Sequence, residues 1–157
     1  MGWQDISVPI EAGMVTFEGD PPVHLERAMS MADGAICNVS RLDFGVHSGT
    51  HVDAPVHFID GAAGIEAVAF DALVGPATVV DARKIDGAFD RAAIEILEIP
   101  TGTVRLLFRS RNSELWNEPA FNGSFSGVTE DGARALIDLG VRLVGADYLS
   151  RQQRDLE

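Results

Sequence analysis

Two strand-like runs flank a helix near the end of the chain, and this order limits the fold more than any other feature. "TVRLLFRS", residues 103–110, is rich in β-branched and apolar residues and reads as a buried strand. "VTEDGARALIDLG" follows with helical spacing. Thr129 is placed to cap this helix, Glu130 and Asp131 suit its positive N-terminal end, and Gly140 fits the left-handed position just past its C-terminus. "VRLVGAD" then reads as another strand. Strand, helix and strand in this order predict a right-handed crossover with parallel pairing.

The remaining elements extend that frame. "GPATVVDA", residues 75–82, has the composition of a buried strand, and "DRAAIEILEI" has helical spacing that stops before Pro100. In the front half, "DISVPI" alternates apolar and polar residues, a strand signal that Pro9 pushes toward a sheet edge. "EGDPPV" is turn chemistry, and "AICNVSRLDFGVH" alternates again as a strand leading into the segment that follows. The expected architecture is α/β, a mixed sheet with packed helices. A length of 157 residues fits one domain spanning residues 1–157.

Composition excludes several classes of function. Hydrophobic residues make up 46% and charged residues 23%, a soluble balance, and no apolar run approaches the roughly 20 residues that cross a bilayer. "MGWQDI" carries Ile6 where N-myristoylation needs Ser or Thr. A cytoplasmic protein without a membrane partner is therefore expected. The net charge of −12 repels phosphate backbones, so no nucleic-acid partner is expected. Cys37 is the sole cysteine, which rules out an internal disulfide, and its context "AICNV" predicts a packed thiol.

Against this background, "HSGTHVDAPVHF", residues 47–58, holds three of the four histidines. Imidazole and carboxylate together suit Zn²⁺, Mn²⁺ or Fe²⁺, and two imidazoles with one carboxylate leave coordination positions open, as catalytic sites do. In a straight strand His51 and Asp53 stand about 6.6 Å apart along the chain, but His47 and His51 stand roughly 13 Å apart. Gly49, Thr50, Val52 and Pro55 argue against a helix that would close this gap. The expected solution is a bend at Ser48–Gly49, where glycine permits the required backbone angles. Pro55 then turns the chain, so that His57 returns beside the site without binding the metal. Ser48 and Thr50 fall on the opposite face and are expected to orient the turn.

The same stretch resembles the His-x-Gly-Thr-His-x-Asp-x-Pro-x-His signature of the metal-dependent cyclase family, which includes bacterial kynurenine formamidases and isatin hydrolases. "DISVPIEAGMVTFEGDPP", "HFIDGAAGIEAV", "LVGPATVVD", "RLLFRSRNSELW" and "ALIDLGVRLVGADYLS" follow the family's order, so the resemblance covers nearly the whole chain. It implies a swivelling β/β/α domain in a homodimer or larger homo-oligomer. It also implies His47, His51 and Asp53 as metal ligands, with Zn or Mn the expected metal, and His57 as general acid/base. The implied reaction is hydrolysis of a small amide, an aryl formamide such as N-formylkynurenine or a cyclic amide such as isatin.

One departure bears on activity. The resemblance implies that family members continue beyond "GADYLS" with a further His and Glu, which in the formamidases help hold a second metal, whereas this chain adds only Arg151 to Glu157 and is expected to be a C-terminally short domain. Two rival readings follow: a catalytically impaired metal-binding paralogue, or a subunit completed by a partner chain. Among other residues, Trp3, Phe17, Phe58 and Trp116 are expected to pack in the core ahead of lining an aromatic pocket. His24 is expected at the surface or an interface. Asp147 is expected either at a functional strand end or as a cap, and Arg109 and Arg111 in surface ion pairs.

Overall fold

The computed structural model describes residues 2–149; Met1 and Ser150–Glu157, which include the expected short terminus, lie outside the described residues. In chain order the elements are β1 (His24–Met29), β2 (Val39–Asp43), α1 (Phe70–Leu73), β3 (Thr78–Asp81), α2 (Arg91–Ile96), β4 (Arg105–Arg109), α3 (Glu130–Asp138) and β5 (Leu143–Gly145). The expected α/β class stands, with both parallel and antiparallel pairing. The two kinds of pairing occur in two sheets: β1–β2 is antiparallel, and β3–β4–β5 is parallel. No helix among the described residues is long and apolar enough to cross a membrane.

The back half forms as its sequence predicts. Thr129 caps α3 by accepting the Gly132 N–H at 3.2 Å, and Gly140 ends it at φ +86°. The Thr129 hydroxyl, followed by the Arg91 backbone N–H, holds the Asp131 carboxyl below its ordinary range. Asp90 caps α2 by accepting the Ala93 N–H at 2.8 Å. Val80, Leu106 and Phe108 from the strands pack with Ile94 of α2 and Ala135 and Leu136 of α3, and Phe89 stacks on Phe108 at 4.6 Å. Gly132 sits where any Cβ would collide with the Phe89 carbonyl, so a poor helix former is kept where the helix meets this loop.

The front half departs from expectation in two places. "DISVPI" makes no strand. Pro9 has no N–H to give a ladder, and Val8 gives its own to the Thr50 side chain, so no pairing propagates. The strand that does form earlier than β2 is "HLERAM", which pairs His24 with Asp43 and Glu26 with Arg41. Every residue of this β1–β2 ribbon is exposed. Cys37 is exposed rather than packed, because the connection between the two strands stands away from the core.

Candidate metal centre

β2 delivers the chain to the histidine stretch and then stops at Asp43. The backbone turns at once: the Ser48 N–H donates to the Gly45 carbonyl at 3.0 Å, and Gly49 takes φ +68°. This is the bend expected at Ser48–Gly49, and it brings His47 and His51 to a ring-centroid distance of 5.0 Å. Pro55 opens a 3-10 turn, Pro55–His57, closed by the His57 N–H donating to Ala54. Proline suits this place because its fixed φ starts the turn and its missing N–H is not needed there.

The donor atoms of His47, His51 and Asp53 all lie within 4.8 Å of one another. Asp53 Oδ1 is their meeting point, 2.8 Å from His47 Nδ1 and 3.2 Å from His51 Nε2. The His51 contact carries the chemistry. Its Nδ1 faces the Gly49 carbonyl at 2.9 Å, and a carbonyl only accepts, so the ring's N–H is there. Nε2, the ring's other nitrogen, then faces Asp53 Oδ1 at 3.2 Å. A ring nitrogen and a carboxylate oxygen at this distance suit a positive charge between them. A proton or a divalent cation meets that demand, and a donor set of two imidazoles and a carboxylate fits the latter. The side chains of His47, His51 and Asp53 are 29%, 28% and 30% exposed, so the centre opens to solvent on one side.

His57 is outside this donor group but against it. Its ring lies 3.8 Å from the His47 ring at an interplanar angle of 31°, and 4.2 Å from Phe58. His57 is also exposed, which leaves its ring accessible to a small molecule at the centre. Thr50, expected to orient the turn itself, instead accepts the Val8 N–H at 3.0 Å, 42 positions away in sequence.

The geometry of Gly49 yields a first prediction. A Cβ there would lie 3.0 Å from Ile10 Cγ1, and φ +68° is costly for any L side chain. Gly49→Val is therefore expected to weaken Zn²⁺ binding by at least tenfold, on the order of 1.4 kcal/mol of misplaced backbone, although no ligand is removed. Zn²⁺ titration alongside far-UV circular dichroism checks it. A folded variant with native affinity would show that the bend is dispensable.

Other singled-out residues go elsewhere. Trp3 is 87% exposed and Phe58 47%, so neither packs in the core. Phe17 is half-buried and meets Phe121 at 4.8 Å, and Trp116 meets Tyr148 at 5.1 Å, with Phe125 completing an aromatic cluster. His24 is exposed in β1, and Arg111 pairs with Asp86 at 2.6 Å on the surface. Asp147, just past β5, accepts from the Ser110 N–H at 2.6 Å, the Ser110 hydroxyl at 2.7 Å and the Ser113 hydroxyl. It therefore ties the end of β5 to the segment after β4, a long-range brace in place of the cap. Sequence reasoning missed its serine partners, because no local spacing links positions 37 residues apart.

Comparison with known proteins agrees with this architecture. The Cyclase family matches residues 4–152. Cyclase-like protein 1 of Arabidopsis thaliana is 41% identical over 140 residues, covering 85% of this chain and 54% of that protein. A kynurenine formamidase of Bacillus mycoides is 31% identical over 148 residues, covering 94% of this chain and 69% of that one. A solved structure described as a "potential metal-dependent hydrolase with cyclase activity" superposes with a TM-score of 0.77 at 33% identity, over 97% of this chain and 71% of the other. The chain thus spans about half the length of the plant relatives it matches. With sequence and fold in agreement over almost all of its length, the chain belongs to the cyclase family.

Proposed function

We propose that this chain is a metal-dependent amidohydrolase acting on a small amide, an aryl formamide such as N-formylkynurenine or a cyclic amide such as isatin. The observation that carries the reading is the convergence of two imidazoles on Asp53 Oδ1, a donor set of two ring nitrogens and one carboxylate that fits a divalent cation. His47, His51 and Asp53 would hold the metal, Zn²⁺ or Mn²⁺. A divalent metal held there would lower the pKa of water to about 7 and polarise a carbonyl oxygen. His57, packed against His47 and open to solvent, would take a proton from the attacking water and deliver it to the leaving nitrogen. The kynurenine formamidase among the relatives supports the formamide class.

The test is a hydrolysis screen of aryl formamides and cyclic amides with added Zn²⁺ or Mn²⁺, together with elemental analysis. Turnover with one metal per chain is expected. Metal without turnover across the panel would favour the impaired paralogue instead.

We also propose that the chain works as a homodimer or larger homo-oligomer. Among the described residues, Val23 is the one buried apolar side chain in the first 70 positions, while Ile36 and Val46 are 88% and 81% exposed. A two-stranded ribbon exposed on both faces is marginal by itself. Light scattering is expected to give a mass of at least two chains at micromolar concentration. A monomeric mass over a broad concentration range would refute this.

A further inference from the structure

Residues 2–10 form an arm with no strand pairing, and much of it is bare: Trp3 and Ile6 are 87% and 64% exposed. Two contacts nevertheless fix the arm to the loop that carries the histidines. The Val8 N–H donates to Thr50 Oγ1 at 3.0 Å across 42 positions of sequence. The side chains of Ile10 and Val8 lie over Gly49, where an added Cβ would come within 3.0 Å of Ile10 Cγ1 and 3.8 Å of Val8 Cγ2. Gly49 is buried, and its carbonyl accepts the His51 Nδ1–H at 2.9 Å. A chain of contacts therefore runs from the arm through Gly49 to the imidazole whose Nε2 faces Asp53.

We propose that residues 8–10 are a strap that positions the metal loop, with Thr50 and Ile10 as positioning residues that never touch the ion. This rests on the reading of His47, His51 and Asp53 as the metal centre. The loop over residues 46–53 contains no helix or strand, so its backbone order has to come from contacts outside itself. The His51 ring is oriented by the Gly49 carbonyl. That carbonyl is oriented by the backbone angles of Gly49, which Ile10 covers and which the Val8–Thr50 hydrogen bond holds next to the arm. Loss of groups that orient a metal ligand typically costs 10–100-fold in affinity, and the strap, one layer further out, is expected to cost about tenfold. The coupling is reciprocal: metal binding stabilises the docked strap by the same factor.

The experiment uses the full chain and two readouts, Zn²⁺ affinity by competition with a chromogenic chelator and hydrogen exchange at the Val8 amide. Thr50→Val is expected to lower Zn²⁺ affinity about tenfold at unchanged stoichiometry. It should also remove the protection of Val8 while the amides of β3–β5 stay as slow as before. Thr50→Ser, which keeps the hydroxyl, is expected to restore both, and Ile10→Ala to weaken affinity in the same direction. Zn²⁺ should slow exchange at Val8 in the unmodified chain. Native affinity in both Thr50→Val and Ile10→Ala overturns the strap and leaves the metal centre standing. Unchanged Zn²⁺ binding in Asp53→Ala overturns the centre itself, and the strap with it.

Discussion

Asp53→Ala is expected to abolish stoichiometric binding of Zn²⁺ or Mn²⁺, lowering affinity by more than about 10²-fold, beyond the usual cost of losing an outer support. Asp53 Oδ1 is the common vertex of the site, 2.8 Å from His47 Nδ1 and 3.2 Å from His51 Nε2. Removing it takes away the only negative charge among the three donors, and the two imidazoles keep no shared partner. Asp53→Asn makes the sharper comparison: it preserves shape and one acceptor oxygen but loses the charge. If charge is what the cation requires, Asn should fall close to Ala. Elemental analysis after dialysis checks both variants. Metal content equal to that of the unmodified chain in Asp53→Ala would remove Asp53 from the ligand set.

Both variants act on a part of the molecule that was legible in the sequence, and the reason is local. His47, Gly49, His51, Asp53 and Pro55 are neighbours in the chain, so their geometry follows from backbone rules applied over a few residues. Glycine at a bend has one physical reason to be there, and φ +68° supplies it. The same holds for α3, where Thr129, Glu130 and Gly140 mark a helix by chemistry within a single turn of each end. What escaped was either non-local or weakly patterned. The arm reaches the histidine loop through Val8 and Thr50, 42 positions apart, and no alternation in "DISVPI" announces that its N–H serves a side chain instead of a strand. "HLERAM" forms β1 through pairing with β2, although its composition carries little strand signal. Cys37 misled because "AICNV" is apolar, yet it lies on a connection that the core never covers.

His57→Ala separates an enzyme from a metal binder, and it is expected to keep the metal while losing about 10²–10⁴-fold in amide hydrolysis, the usual cost of removing a general acid/base. The geometry assigns different consequences to neighbouring histidines. His47 and His51 both reach Asp53 Oδ1 with a ring nitrogen, whereas the His57 ring lies tilted against His47 at 3.8 Å. An imidazole nitrogen can both accept and return a proton, so a ring held beside the donor group is placed for both steps. The loss should fall on kcat more than on KM, because a proton moved in the transition state adds little to ground-state binding. His57→Gln supplies the control for the packed shape, since it fills part of the space without carrying a proton. If Gln retains hydrolysis, the ring acts by packing on His47 and not by proton transfer. If Ala loses the metal along with the activity, His57 belongs among the ligands, and the acid/base role must pass to another group.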